Sequence, residues 1–196
     1  MNIHSTPSNQ MCEPIEKSAV DDGMASGTVT MNILVYRVVS GIVRRGDEIV
    51  LVQQQAKHDA FPTWSLPGGK VENHELLHEA LIREIAEETG LIVDDIGALV
   101  SVTHHDNREQ AMQAITFIFE ITAWHGDIKS ADPDQVVCDV QFVKFDEAHR
   151  LLQTLPWATM REPIQAYLHG ITKRGSVWLY RTMPNQPTER IHVLEG

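Results

Sequence analysis

Cysteine, basic residues, aromatic rings and long apolar runs are all scarce in this 196-residue chain. Its two cysteines, Cys12 and Cys138, are too few for a disulfide framework and read as free thiols in a reducing compartment. Lysine and arginine total 16 against 27 acidic residues, a formal net charge of −11. That balance lacks the basic footprint needed for generic binding to nucleic acid or to anionic membranes. It still allows phosphate-rich small molecules, provided that metal ions supply the positive charge. No apolar run approaches the roughly 20 residues of a membrane span. The N-terminus has no basic start followed by an apolar stretch, so no secretory signal is expected. A cytoplasmic enzyme with no membrane or nucleic-acid partner is the default expectation.

What remains is an ordinary globular composition, 42% hydrophobic and 22% charged, with room for one domain plus appendages. Residues 1–28 are polar and aperiodic, with Pro7 and Pro14, and read as a disordered leader. The β-branched run Ile33 to Val43, the turn Arg44 to Glu48 and the run Ile49 to Gln54 predict a hairpin. Gln55 to Phe61 is expected to be a loop, and Thr63 to Leu66 a short extended piece. Further on, strands are expected over Leu99 to Thr103, Ala114 to Thr122 and Val136 to Phe145. His104 to Gln110 reads as a polar loop, and Ser130 to Asp134 as a turn cluster. Asp146 is expected to cap a helix running to about Gln153. A second helix should end at Gly170, with Pro163 in its first turn. Val177 to Arg181 and Ile191 to Leu194 predict a closing hairpin. Strands around one long helix, with more helices near the end, fit an α/β/α sandwich on a mixed sheet; strand order alone leaves an α+β arrangement open.

The long helix is the organising stretch, Gly68 to Leu91. Pro67-Gly68-Gly69 reads as a glycine turn. A helix is expected from near Asn73 to a left-handed cap at Gly90. At ~100° per residue, Glu84, Glu87 and Glu88 share one side, continuing the stripe of Leu76, Leu77, Ala80 and Leu81. They also crowd the helix C-terminus, where the macrodipole disfavours negative charge by roughly 0.3–1 kcal/mol each. At ~6 Å spacing, mutual repulsion adds on the order of 3 kcal/mol per pair at an effective dielectric near 20. A cation would compensate, and oxygen-only ligands favour Mg²⁺ or Mn²⁺ over Zn²⁺. On charge alone, a solvated acidic helix face is the preferred reading of the cluster.

The spacing decides otherwise. Gly69, Glu75, Arg83, Glu84, Ile85, Glu87, Glu88, Gly90 and Leu91 fill every fixed position of G-x5-E-x7-R-E-U-x-E-E-x-G-U, where U is a large aliphatic. The stretch resembles an intact Nudix box, and Trp64 to Gly69 resembles the W-x-L-P-G-G run that commonly precedes it. The resemblance covers about Met31 to Gly170. It implies an α/β/α sandwich for a domain spanning 29–170. The closing hairpin, 171–196, lies outside the resemblance and is expected as an extension packed on that domain.

That resemblance implies hydrolysis of a diphosphate linkage in a nucleoside diphosphate-X or a related nucleotide. It makes Glu84, Glu87, Glu88 and the Gly68 carbonyl metal ligands. Glu84 is also the candidate for activating water, with Arg83 and Glu75 holding the ligand face in register. Asp139 is a candidate for a further ligand. Lys57, His104 and Arg108 are candidates for substrate contact. Gln53 to Gln55 occupy the place where some members carry a phosphate-binding arginine. The alternative is a Nudix-fold module that binds a nucleotide sugar as a regulator. The closing hairpin could also pair two subunits into a homodimer.

Overall fold

The computed structural model describes residues 33–196 apart from 56, 58–59, 130–131 and 134–135. The expected leader and Asp134 lie outside the described residues. The chain runs β1 (Leu34–Arg45), β2 (Glu48–Gln54), β3 (Thr63–Ser65), β4 (Gly68–Lys70), α1 (Leu77–Thr89), β5 (Ile92–Asn107) and β6 (Met112–His125). It continues as β7 (Val137–Lys144), α2 (Phe145–Leu152), α3 (Ala158–Leu168), β8 (Ser176–Thr182) and β9 (Glu189–Leu194).

Among the described residues these strands form one mixed sheet in the order β3-β2-β1-β6-β5-β8-β9, with β4 paired to β1 and β7 to β2. The β1–β6 and β5–β8 pairs are parallel, and the other pairings are antiparallel. Successive side chains on a strand point to opposite faces, and the core follows that alternation. Val39 and Val43 of β1 and Val50 of β2 meet Ala80, Leu81 and Ile85 of α1. Ile42, Ile49 and Leu51 point the other way and pack with Ala148, Leu152 and Ile164 of α2 and α3. One sheet between two helical layers is the α/β/α sandwich expected from the sequence.

Several boundaries differ from expectation, each for a local reason. Helix α1 starts at Leu77, not near Asn73, because Glu75 and Glu79 bend back to accept the backbone N–H groups of Glu72 and Leu76. Leu76 consequently leaves the apolar stripe and is 59% exposed. The C-terminal cap is as expected: Gly90 is left-handed at φ 76° and its N–H returns to the Ala86 carbonyl. His104 to Asn107 form the end of β5 and not a loop, because β8 runs beside them in parallel register from Ser101↔Ser176 to Asn107↔Thr182. Helix α2 begins one residue before Asp146, after Lys144 at the N-cap. Pro163 sits in the interior of α3, not in its first turn, and is buried. The closing hairpin β8–β9 extends the central sheet edge-on through β5.

Candidate functional site

Strand β4 and helix α1 are fastened to each other by the residues that made the sequence pattern legible. Gly68 has φ 150°, and a Cβ there would lie 2.1 Å from the Val39 carbonyl oxygen. At Gly69 a Cβ would come within 2.4 Å of Glu84 Oε1, so the carboxylate lies directly against the glycine backbone. The Gly68 N–H donates to Glu88 Oε2 at 2.8 Å. The pattern's glycines are therefore the surface on which two of its glutamates rest.

Arg83 ties the remaining acids together. Its Nε and Nη2 donate to Glu75 at 2.9 and 3.0 Å, and its Nη1 reaches Glu84 at 2.9 Å and Glu87 at 3.2 Å. Nη2 also donates to the Lys70 carbonyl at 3.1 Å, which joins α1 to the end of β4. The hydrogen bond from Arg83 holds the Glu75 carboxyl below its ordinary range, and Glu75 in turn raises the Arg83 guanidinium.

Glu84 and Glu88 are pushed the other way. Burial raises the Glu84 carboxyl against the pull of Arg83. Glu88 is only 6% exposed, and burial lifts it to about 8 against the opposing Gly68 N–H, with the charges of Glu84 and Asp132 adding to the rise. The charged form of Glu88 is met by the neutral Gly68 and Gln54 donors, and that of Glu84 by an Arg83 guanidinium that Glu75 and Glu87 share. Glu87 is the most accessible of the three, with 35% of its side chain exposed.

The set fits a hard divalent cation in donor type, since it is carboxylate oxygen on one face of a rigid helix. Among the described residues, no three acidic, imidazole or thiol side chains are gathered into a ready-made cage. The cation that Glu84 and Glu87 share is the Arg83 guanidinium.

The other candidates are scattered. Asp139 pairs with Gln53 across the sheet, and its Oδ2 accepts from Gln141 at 2.6 Å. Strand alternation puts both on the face of Val143, with α2 and α3, whereas Val140 and Phe142 face α1. Asp139 is therefore not brought to the α1 carboxylates. Lys57 is exposed after β2. Arg108 is committed to Asp106, 3.0 Å away, which also accepts from Arg181 at 3.1 Å. His104 lies within β5, opposite Ile115 and Leu179, with its Nε2 buried and without a hydrogen bond among the described residues. His105 instead bonds Thr182 at 2.8 Å.

Two residues near the site, Asp132 and Gln54, are not candidate ligands or substrate contacts in the sequence, where Gln54 stands only at the place of a phosphate-binding arginine. Asp132 accepts the N–H groups of Val136 and Val137 at 2.7 and 2.8 Å, and its charge is felt by Glu88. The sequence pattern places it in a turn cluster. Gln54 donates its amide to Glu88 Oε1. Strand alternation was the available signal, since Gln54 has the same parity as Val50, which packs on α1.

Comparison with known proteins converges on one family. The NUDIX domain model matches residues 35–167. An ADP-ribose pyrophosphatase from Methanocaldococcus jannaschii is 35% identical over 48% of this chain and 54% of its own length. The 8-oxo-dGDP phosphatase NUDT18 of Danio rerio is 27% identical over 74% of this chain and 48% of its own length. The chain thus spans about half the length of these curated relatives. In fold it is similar to the MutT protein of Bacillus halodurans, with a TM-score of 0.60 at 24% identity over 81% of this chain and 96% of the other. The locked glycine strand, the complete motif on α1 and the extent of the domain match together establish that this chain belongs to the Nudix family.

Proposed function

We propose that the protein is a pyrophosphohydrolase that uses Mg²⁺ or Mn²⁺ to cleave a diphosphate linkage in a nucleotide or nucleotide-like small molecule. One observation carries this reading: Glu84, Glu87 and Glu88 project from one rigid helix face, with Glu84 and Glu88 against the backbone of Gly69 and Gly68 and Glu87 tied to Arg83 beside them. The names of the relatives, ADP-ribose pyrophosphatase and 8-oxo-dGDP phosphatase, agree in reaction class while differing in substrate.

Glu84, Glu87, Glu88 and the Gly68 carbonyl would hold the cation. When bound, it supplies charge neutralisation at the phosphate oxygens and makes its water more acidic. The protein's own contribution is placement. Glu84, fixed between Gly69 and Arg83, orients the attacking water and takes its proton. Arg83 and Glu75 keep Glu84 and Glu87 in register without touching substrate. Lys57 offers an exposed cation to the substrate phosphates. The exposed free thiol of Cys138 suits a reducing, cytoplasmic setting.

The test is a panel of ADP-ribose, 8-oxo-dGDP, nucleoside triphosphates and dinucleoside polyphosphates incubated with protein and Mg²⁺. Release of a phosphate-bearing product from at least one compound is expected. No product from any of them would point to the binding-module alternative.

A further inference from the structure

Gln54 takes no part in the chemistry above, yet among the described residues it is one of two donors on the most buried carboxylate of the site. Glu88 Oε2 accepts from the Gly68 backbone and Oε1 from the Gln54 side chain. The donors come from different strands, so Glu88 clips α1 to both β4 and β2. Gln54 is firmly mounted, paired on one side with Thr63 of β3 and on the other with Val137 of β7. The next residue, Gln55, donates its N–H to the Val136 carbonyl at 3.0 Å. Asp132 is bonded to that same segment, so this end of β2 also positions the segment whose charge reaches Glu88.

We infer that Gln54 is a positioning residue that fixes the Glu88 carboxylate for a divalent cation and, being neutral, leaves the carboxylate's charge to that cation. The inference rests on the reading of Glu84, Glu87 and Glu88 as cation ligands. A carboxylate offers about four lone-pair sites. Two neutral donors orient it and leave the others free. A cationic side chain at this position would instead form a buried ion pair with Glu88 and repel the metal. An aliphatic one would leave Oε1 unheld, and the ligand would have to be ordered when the cation binds.

Mn²⁺ binding, followed by electron paramagnetic resonance, separates these cases without reference to turnover, with melting temperatures in EDTA as the control for folding. Gln54→Leu should weaken Mn²⁺ binding by about tenfold and Gln54→Lys by about 100-fold. Gln54→Glu has the same size and adds a like charge, so it should melt below wild type in EDTA and recover when Mn²⁺ is added. A purely structural role would depress all three melting temperatures regardless of metal. If Gln54→Leu and Gln54→Lys bind Mn²⁺ as wild type does, the inference is overturned and the cation site stands. If wild type binds no Mn²⁺, the site itself is overturned and the inference with it. If Gln54→Lys does not fold, Gln54→Glu decides, and a deficit that Mn²⁺ does not repair overturns the inference.

Discussion

The stretch from Gly68 to Gly90 and the stretch from His104 to Arg108 are both rich in polar and charged residues, and they behave in opposite ways. In the first, the charged residues of the motif are held mainly by other members of the same pattern: Glu84 lies on Gly69, Glu88 on the Gly68 N–H, and Arg83 spans Glu75, Glu84 and Glu87. In the second, neighbours far away in sequence decide the outcome. Arg181 and Thr182 of β8 draw Asp106 and His105 into strand pairing, and Arg108 turns back on Asp106. Self-contained constraint makes a chemical core that can be read locally. Dependence on distant partners makes a rim whose role cannot.

Breaking the first region should therefore cost far more than breaking the second. The largest effect is expected for Glu87→Gln, which removes one charged oxygen from the accessible end of the set. Turnover should drop by about 100- to 1,000-fold, while the melting temperature stays within a few degrees, as checked by steady-state kinetics and circular dichroism. Gly69→Ala follows, because its methyl group would enter the space held by the Glu84 carboxylate. A displacement of about 1 Å there should lower kcat by about 100-fold.

Smaller is the pH response of metal-depleted protein. Burial holds Glu88 at about 8, above its ordinary 4.5, and shifts Glu84 the same way. In that window the folded protein binds more protons than the unfolded chain, so stability falls as pH rises through it. Glu75, lowered by Arg83, acts in the opposite sense, its contribution being lost only as pH falls through and below the ordinary carboxylate range. In EDTA the melting temperature should accordingly be higher near about pH 5.5 than near about pH 8.5, and Mg²⁺ should flatten the difference by favouring the charged carboxylates. The smallest effect is expected for Arg108→Ala in the exposed rim, within about 0.5 kcal/mol of wild-type stability by chemical denaturation.

The same contrast explains what the sequence made legible. The left-handed cap at Gly90 and the shared face of Glu84, Glu87 and Glu88 follow from periodicity and fixed spacing, whereas the sandwich follows from the family resemblance, since strand order alone leaves an α+β arrangement open. The end of β5 reads as a loop in the sequence because His104 to Asn107 are polar, and their strand conformation comes from β8, some seventy residues later. Asp139 looked available as an acid beyond the box, but the alternation of β7 turns it toward α2 and α3. In the sequence Gln54 stands only where some members carry a phosphate-binding arginine. Its contact with Glu88 depends on how β2 meets the C-terminal half of α1, which no local pattern states.

The central claim is that these carboxylates support metal-dependent attack of water on phosphorus. Its most direct measurement is the substrate panel run in water labelled with heavy oxygen, with Mg²⁺ and with EDTA. The label should enter a phosphate group of the product, and the rate should vanish in EDTA and return with Mg²⁺. Label in the non-phosphate product, or a rate indifferent to EDTA, would contradict the account.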